Sequence, residues 1–507
     1  MLLSLAVLLV TISLPALAQA PDTAWVRSYN GPAGGDDQGT SCAVDAWGNL
    51  YVTGFSSNGA NHDFLTIKYN STTGETLWTR RYNGPDNGND GGTGCAVDNS
   101  GSLYVFGSSF QAGTNDDYLT IKYDAATGET LWTRRHEEPG DASNKSWGCS
   151  YSATGHLYVT GMSHGGGPEC DYLTVKYDAV TGDTLWVRKY NGPAGGDDEA
   201  FGCAADPWGN LYVSGYSFNG SDFNILTVKY SPDGDTLWTR RSAATLDSLR
   251  HDMAGCASDG SGNVYVTGMC GLNAGYQNRY SVTIKYGPAG ELLWTRTYDG
   301  PTNYDATMGC AADPARNTVI VTGTTHTGGP HDRFLTVCYD ADSSYLVWDV
   351  SYLSSPARTE YSMGCALDSN GYLFVSGVSL DSLTWIGDYQ TVKYNTATGV
   401  AGGPGSGSAV AGLRLLPNAP NPFSQSTIIK YQLTKPSTVI LKVYNGAGQC
   451  VRDLTPSMPP SPRGEGWVGS VIWDGRDGRG RQAANGVYLC RLETATGSTS
   501  RKMTLVK

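Results

Sequence analysis

Apolar and polar positions alternate along this chain in short bursts, and the bursts come in groups of four. In one group, Gly94 to Asp98, Leu103 to Ser108, Tyr118 to Tyr123 and Leu131 to Arg135 are rich in β-branched or aromatic residues and bounded by Gly, Asn, Asp and Ser. That is the pattern of short strands separated by turns. Within a group the links differ in kind. Asp98-Asn99-Ser100-Gly101, between the first and second runs, and Asp124-Ala125-Ala126-Thr127-Gly128, between the third and fourth, carry residues that favour tight turns. Links from second to third run and from group to group, such as Met162 to Cys170 and His136 to Trp147, are longer and more varied. Four antiparallel strands joined in this way put both long classes at one end, where a ligand is expected.

The group recurs seven times. Cys42, Cys95, Cys149, Cys203, Cys256, Cys310 and Cys365 occupy one equivalent position, at spacings of 53, 54, 54, 53, 54 and 55 residues. A period that long, with four strands per unit, predicts a propeller in which no blade buries its apolar faces alone. Trp25-Val26-Arg27-Ser28-Tyr29 reads as a fourth strand with no blade before it, and the last unit stops after Tyr389 to Tyr394. The expected fold is therefore all-β: a seven-bladed β-propeller over residues 21–399, its four-stranded blade seven completed by the N-terminal strand. Closure of that kind removes an exposed sheet edge.

Other segments flank the array. Met1 to Ala18 is an apolar run ending Ala16-Leu17-Ala18, which reads as a secretory signal peptide, with cleavage as late as residue 20 also fitting. No second apolar span follows, so the expected product is exported and without a transmembrane segment once the leader is removed. Residues 400–412 have the Gly/Ser/Pro composition of a flexible linker. Beyond them, Ile428 to Leu433, Val439 to Tyr444, Val468 to Trp473 and Val487 to Leu492 predict a small antiparallel sandwich over 413–507. The 35 basic against 47 acidic residues give a net charge of −12, which argues against nucleic acid as a partner. A monomer is expected.

Twelve cysteines in an exported chain would suggest disulfides. Seven symmetry-related positions cannot all pair, however, and equivalent points on neighbouring blades exceed the roughly 7 Å limit for a bridge. They read as small buried hydrophobes. Cys170, Cys270 and Cys338 lie outside the pattern, Cys450 and Cys490 could bridge in the second module, and no paired Cys-x-x-Cys marks a zinc site.

The chain has no Gly-x-Ser-x-Gly elbow, His-Glu-x-x-His or phosphate-binding loop. Of its histidines, His62, His164, His326 and His331 fall in second-to-third loops, His136 and His251 in blade-to-blade loops, and His156 in a tight turn. They are spread over different blades. The carboxylates of Gly34-Gly35-Asp36-Asp37, Gly195-Gly196-Asp197-Asp198 and Asn87-Gly88-Asn89-Asp90 are too few for calcium, which takes six to eight oxygens. Asp45, Asp98, Asp206, Asp259, Asp313 and Asp368 precede turns and fit Asx-turn closure. Lys68, Lys122, Lys176, Lys229, Lys285 and Lys393 form a ring broken by Cys338, either to hold an anion or as stems along blade faces with solvated tips. Candidate aromatic contacts on the long loops are Phe55, Phe110, Tyr216, Tyr276 and Trp385.

Three resemblances add expectations. Gly48-Asn49-Leu50-Tyr51-Val52-Thr53-Gly54 and its copies resemble the bacterial SBBP-type propeller repeat, which implies fold and not activity. Asp124-Ala125-Ala126-Thr127-Gly128-Glu129-Thr130-Leu131-Trp132 resembles the tryptophan-docking repeat of quinoprotein dehydrogenases, implying that Trp25, Trp78, Trp132, Trp186, Trp238, Trp294 and Trp348 brace adjacent blades. That family has eight blades and a vicinal Cys-Cys pair; this chain has seven units and no such pair. Over residues 413–507, Pro417-Asn418, Pro420-Asn421-Pro422-Phe423, Val443-Tyr444-Asn445, Trp473-Asp474-Gly475-Arg476-Asp477, Asn485-Gly486-Val487-Tyr488 and the terminal Lys502 to Lys507 resemble the C-terminal sorting domain of type IX secretion cargo, similar to the immunoglobulin-like domain of the flagellar hook-cap protein. Pro456 to Gly466 is an insertion relative to that pattern.

Together these readings give a secreted or cell-surface binding or scaffold propeller, exported or anchored through its C-terminal domain and engaging an extracellular protein or carbohydrate with its long-loop face. It is expected to be non-enzymatic, with no catalytic, cofactor-binding or metal-ligating residue and no cofactor. The alternatives are an extracellular polysaccharide hydrolase, lyase or quinoprotein-like dehydrogenase, and a purely structural envelope protein.

Overall fold

In a computed structural model of the chain, residues 20–506 are described except 114, 139–142, 166, 243–254, 272–278, 301–303, 328, 397–412, 416–422, 424, 434–437, 446–448, 457–460, 464–465 and 495–496. The leader and linker expectations therefore lie outside the described residues, as do His251 and Tyr276. The described chain falls into two compact units, within Gln19–Gly399 and Val400–Lys507.

The first unit is a seven-bladed propeller of four-stranded antiparallel sheets. Blades one to six run from Asp37, Asp90, Asn144, Asp198, Gly255 and Asp305 to Tyr82, His136, Tyr190, Arg241, Tyr298 and Tyr352. Blade seven takes three strands from Arg358–Asn395 and its outer strand from Asp22–Tyr29, which pairs from Asp22↔Asn395 to Tyr29↔Tyr389. The strands are longer than the apolar runs suggest: the first strand of blade two begins at Asp90, not Gly94. Each apolar cluster spans two blades, as when Tyr51 and Phe64 of blade one pack with Leu103, Val105 and Ile121 of blade two. Phe374 and Tyr389 of blade seven close the circle on Leu50 and Val52 of blade one.

Every blade is bulged on its outer strand, and among the described residues six blades show a second bulge on the first. In the outer strand the extra residue precedes the repeat tryptophan: Lys122 pairs with Trp132 and Tyr123 with Thr130, so Leu131 stands between them. A bulge re-aims side chains and disrupts edge pairing. It turns Leu131 outward, 54% exposed, and sets the Trp132 ring 6.0 Å from Tyr104. In the first strands the register shifts at Thr40, Thr93, Trp147, Phe201, Met308 and Met363.

The first strands touch one another in sequence, and the seventh touches the first, so they form the inner ring. Glycine is required where they come together. A Cβ on Gly148 would lie 2.8 Å from both Gly202 Cα and Phe201 O of the next blade. The repeat cysteines sit beside this seam, Cys95 Sγ 3.9 Å from Tyr51 O and Cys42 Sγ 3.6 Å from Phe374 O of the preceding blades. All twelve thiols are free.

The second unit is a sandwich of two four-stranded antiparallel sheets. Ile429, Tyr431 and Trp473 from one sheet pack with Leu441, Val443, Leu492 and Leu505 from the other. Cys450 and Cys490 cannot bridge. They lie on strands at either side of Ile440–Asn445, about 10 Å apart at two strand spacings, beyond disulfide reach. No helix among the described residues is long and apolar enough to cross a membrane.

Candidate functional site at the long-loop mouth of blades three and four

Seven copies of one unit supply their own control: residues that repeat build the ring, and residues that depart from the rule need another reason. On the short-turn side the rule is strong. Lys122 Nζ donates to Ala179 O of the next blade at 2.8 Å, Trp132 Nε1 to Val180 O at 3.2 Å and Arg134 Nε to Gly182 O at 3.1 Å, all on one third-to-fourth turn. The same lysine, tryptophan and arginine clamp closes every other seam but that between blades six and seven, including Lys393, Trp25 and Arg27 of blade seven on Ser71 and Gly74 of blade one. The lysines are buried and lie over tyrosine rings, Lys122 Nζ 5.2 Å from the Tyr104 centroid. They form neither an anion site nor a ring of solvated tips, because their ammonium groups are used by carbonyl oxygens of the neighbouring blade.

Cys338 breaks the ring for a topological reason. Its blade faces blade seven, which takes its fourth strand from the chain start and so has no continuous third-to-fourth turn to receive a lysine. Val350 stands in the same blade where Arg296 stands in blade five. The turn aspartates are likewise structural: Asp98 Oδ1 accepts from the Ser100 and Ser102 amides at 2.8 Å and Oδ2 from Tyr104 Oη at 3.0 Å.

A second rule governs the long-loop side. Asp37, Asp90, Asp198 and Asp305 begin their inner strands fully buried, and each accepts from a glycine amide of the entering loop at 2.5–2.6 Å. Burial raises the carboxyls of Asp90, Asp198 and Asp305 above their usual range against those hydrogen bonds. In blade two Arg135 bonds Ser109 and reaches Asp117 at 3.2 Å; Arg81 does the same with Ser56 and Asp63 at 2.9 Å.

Blade three breaks this second rule in several places at once. Its inner strand begins with Asn144, and Lys189 stands where blades one, two and four have Arg81, Arg135 and Arg241. Lys189 Nζ turns to Glu138 Oε2 at 2.6 Å, while Glu138 Oε1 lies 3.0 Å from His136 Nε2. Burial alone would raise Glu138; the Lys189 and His136 contacts outweigh it and hold the carboxyl below its usual range. Asp171, the counterpart of Asp63 and Asp117, is raised by burial and by the Asp198 charge. Cys170 is buried, with Sγ 3.6 Å from both Asp197 Oδ1 and Glu199 Oε1 of blade four; burial first, then those carboxylates, push its thiol up.

The inner-ring bulges also change character here. Thr40 Oγ1 donates to the Thr53 and Gly92 carbonyls, tying its bulge to the backbone. Trp147 and Phe201 instead stack on each other at 5.9 Å and 27°, and Trp147 is 37% exposed. Phe201 continues to Tyr216 at 5.6 Å, Tyr216 to Phe223 at 5.0 Å and Phe223 to Phe218 at 5.3 Å. These residues come from the first, second and third strands of blade four, so the strip runs from the inner ring outward.

Of the aromatic candidates read from the sequence, Tyr216 alone enters this strip. Phe55 packs its ring 4.8 Å from His62. Phe110 packs against the Gly88 backbone. Trp385 is 66% exposed in a blade-seven loop at φ 57°. The histidines do not converge: His62, His136, His156 and His326 end or begin strands of separate blades. Among the described residues no three His, Cys, Asp or Glu are arranged to hold a metal ion. Trp147 and Phe201 were missed because they occupy a strand, not a long loop; the signal was a bulky ring at the position two before the repeat cysteine, filled by Thr40 and Thr93 in blades one and two.

A family profile described as outer membrane protein assembly factor BamB matches residues 62–196, from the third strand of blade one to the loop before blade four. No curated protein matches the chain. Among solved structures, polysaccharide lyase Uly1 is similar at 12% identity over 70% of this chain and 90% of that one, with a TM-score of 0.47. A PL25 ulvan lyase bound to -[GlcA(1-4)Rha3S]- is similar at 11% identity over 69% and 93%, TM-score 0.45. Quinohemoprotein alcohol dehydrogenase ADHIIG from Pseudomonas putida HK5 is similar at 13% identity over 75% and 68%, TM-score 0.38. Likeness at this level concerns the fold alone. It nevertheless corrects one expectation: these similar structures belong to enzymes, so the lack of a familiar motif is no ground for reading the chain as non-enzymatic, and that reading is withdrawn.

Proposed function

We propose that this protein is an exported propeller that engages an extracellular ligand at the long-loop mouth of blades three and four. One observation carries the reading: on one side of blade three Asn144 replaces the buried aspartate that starts four other inner strands, Lys189 turns to Glu138, Cys170 meets carboxylates of blade four, and the Trp147 ring is exposed at an inner-strand bulge. Chains break their own local rules chiefly where function demands it. The blade-seven strands Gly387–Asn395 and Asp22–Tyr29 meet at Asn395 and Asp22, at the short-turn end and away from the long-loop mouth.

The same proposal takes the repeats as SBBP-type and residues 413–507 as a sorting domain of immunoglobulin-like build, read by a type IX secretion machine, with Met1 to Ala18 as the leader. Support comes from the ordered motifs ending at Lys507 and from a folded sandwich in which Trp473 and Tyr488 are packed at 5.0 Å. The test is expression in a host with type IX secretion, with and without residues 413–507, followed by surface protease accessibility and mass spectrometry. Export of the full-length form alone supports the sorting role. Equal localisation of both forms refutes it.

A further inference from the structure

The mouth reading leaves the ligand's chemistry open, and the aromatic strip narrows it. Trp147, Phe201, Tyr216 and Phe223 make unbroken ring-to-ring contacts of 5.0 to 5.9 Å from the inner ring outward, and each is partly exposed. A row of partly exposed rings running from the inner ring outward suits a linear chain lying along it. Its borders are charged. Lys145 stands two residues before Trp147, 41% exposed and 3.8 Å from Asp116. Glu199 stands two residues before Phe201 and pairs across the sheet with Tyr216. Donors and acceptors of both signs thus flank the aromatic rings at fixed register. A wholly apolar occupant would strip water from Lys145 and Glu199 without replacing its hydrogen bonds, which is costly. A polymer of sugar rings has flat C–H faces to lay on aromatic rings and hydroxyl edges to meet those charges, with the amphipathic match that such rings favour.

We infer that the strip is a binding row for an extracellular polysaccharide, whose sugar rings lie on Trp147, Phe201 and Tyr216 and whose hydroxyls meet Lys145 and Glu199; the inference rests on the mouth being the ligand site.

The test is binding of the full-length protein to a microarray of bacterial, algal and plant polysaccharides and to a panel of proline-rich peptides, followed by titration calorimetry on the best binder. Trp147→Ala and Phe201→Ala are expected to weaken polysaccharide binding about tenfold or more; Trp147→Phe is expected to restore most of it, and Leu131→Ala on the outer rim to change nothing. Thermal melts separate lost binding from lost fold, and Lys145→Ala supplies a second variant should Trp147→Ala unfold. Peptide binding with the same Trp147 dependence would overturn the polysaccharide and keep the mouth. Polysaccharide binding indifferent to Trp147 and Phe201 would overturn both, and no polysaccharide bound at millimolar protein would overturn the inference.

Discussion

Lys122→Met tests whether the inter-blade clamps hold the ring. The lysine is 8% exposed and donates to Ala179 O at 2.8 Å while lying 5.2 Å from the Tyr104 ring. A hydrogen bond to a charged group is worth about 1.5–3 kcal/mol net, and a partly desolvated cation–π contact adds about 0.5–1 kcal/mol. Two effects reduce the loss. Ala179 O keeps the Tyr104 hydroxyl at 3.1 Å, and methionine removes the burial penalty that already lowers the lysine's pKa. The net destabilisation is about 1–3 kcal/mol, a fall in melting temperature of about 2–5 °C for a unit of this size. Differential scanning fluorimetry reads it, and hydrogen exchange should show the loss at the seam of blades two and three first. The mirror variant Cys338→Lys should also destabilise, since it buries an ammonium facing the blade that lacks the accepting turn. An unchanged melt for Lys122→Met, or a stabilised Cys338→Lys, would refute the clamp.

Other outcomes follow from the same geometry. Gly148→Ala forces a Cβ to 2.8 Å from two backbone atoms of blade four and should cost about 1–3 kcal/mol or more, read as a lowered melting temperature. Trp385→Gly should stabilise by about 0.5–1 kcal/mol, because a bulky residue at φ 57° is strained and 66% of it contacts only water; an unchanged or lower melting temperature would contradict this. Asp90, Asp198, Asp305 and Glu360 are raised chiefly by burial. They bind protons more tightly folded than unfolded, so their contribution is full below the unfolded carboxyl pKa and is lost as pH rises through the folded one. Melting temperature should therefore climb as pH drops from 7 toward 5. It should fall again at lower pH, where Asp98 and Glu138, held low by their partners, become protonated; Asp90→Asn should flatten the climb. Thiol labelling of the native protein should modify Cys450, which is exposed, and spare the buried Cys42 and Cys338 and the half-buried Cys256, all three pushed up to about 12.

The propeller was legible because its signals are local and repeated seven times. Strand runs, turn aspartates and the unpaired Trp25 strand each carry their own chemistry, and the period assembles them. What escaped were contacts between units. The Lys122 ammonium looks solvated in sequence, since the carbonyl that accepts its hydrogen bond sits 57 residues away on the next blade. Cys338 looked like an interruption until the missing turn of blade seven explained it. Trp147 and Phe201 were hidden for a similar reason: a bulge, invisible in the alternation of one strand, turns out a position that other blades fill with threonine, methionine or alanine. Cys450 and Cys490 illustrate the reverse error, in which two cysteines on strands of one small sheet seem close until a third strand is placed between them.

The most direct test of the central claim is hydrogen exchange by mass spectrometry on the full-length protein, with and without the polysaccharide it binds best. The account predicts slowed exchange in peptides covering Asn144–Tyr151, Asp198–Ala205 and Leu211–Phe218, with the short-turn ends of all blades unchanged. Protection confined to the short turns, or to the Leu383–Ile386 loop of blade seven, would contradict it.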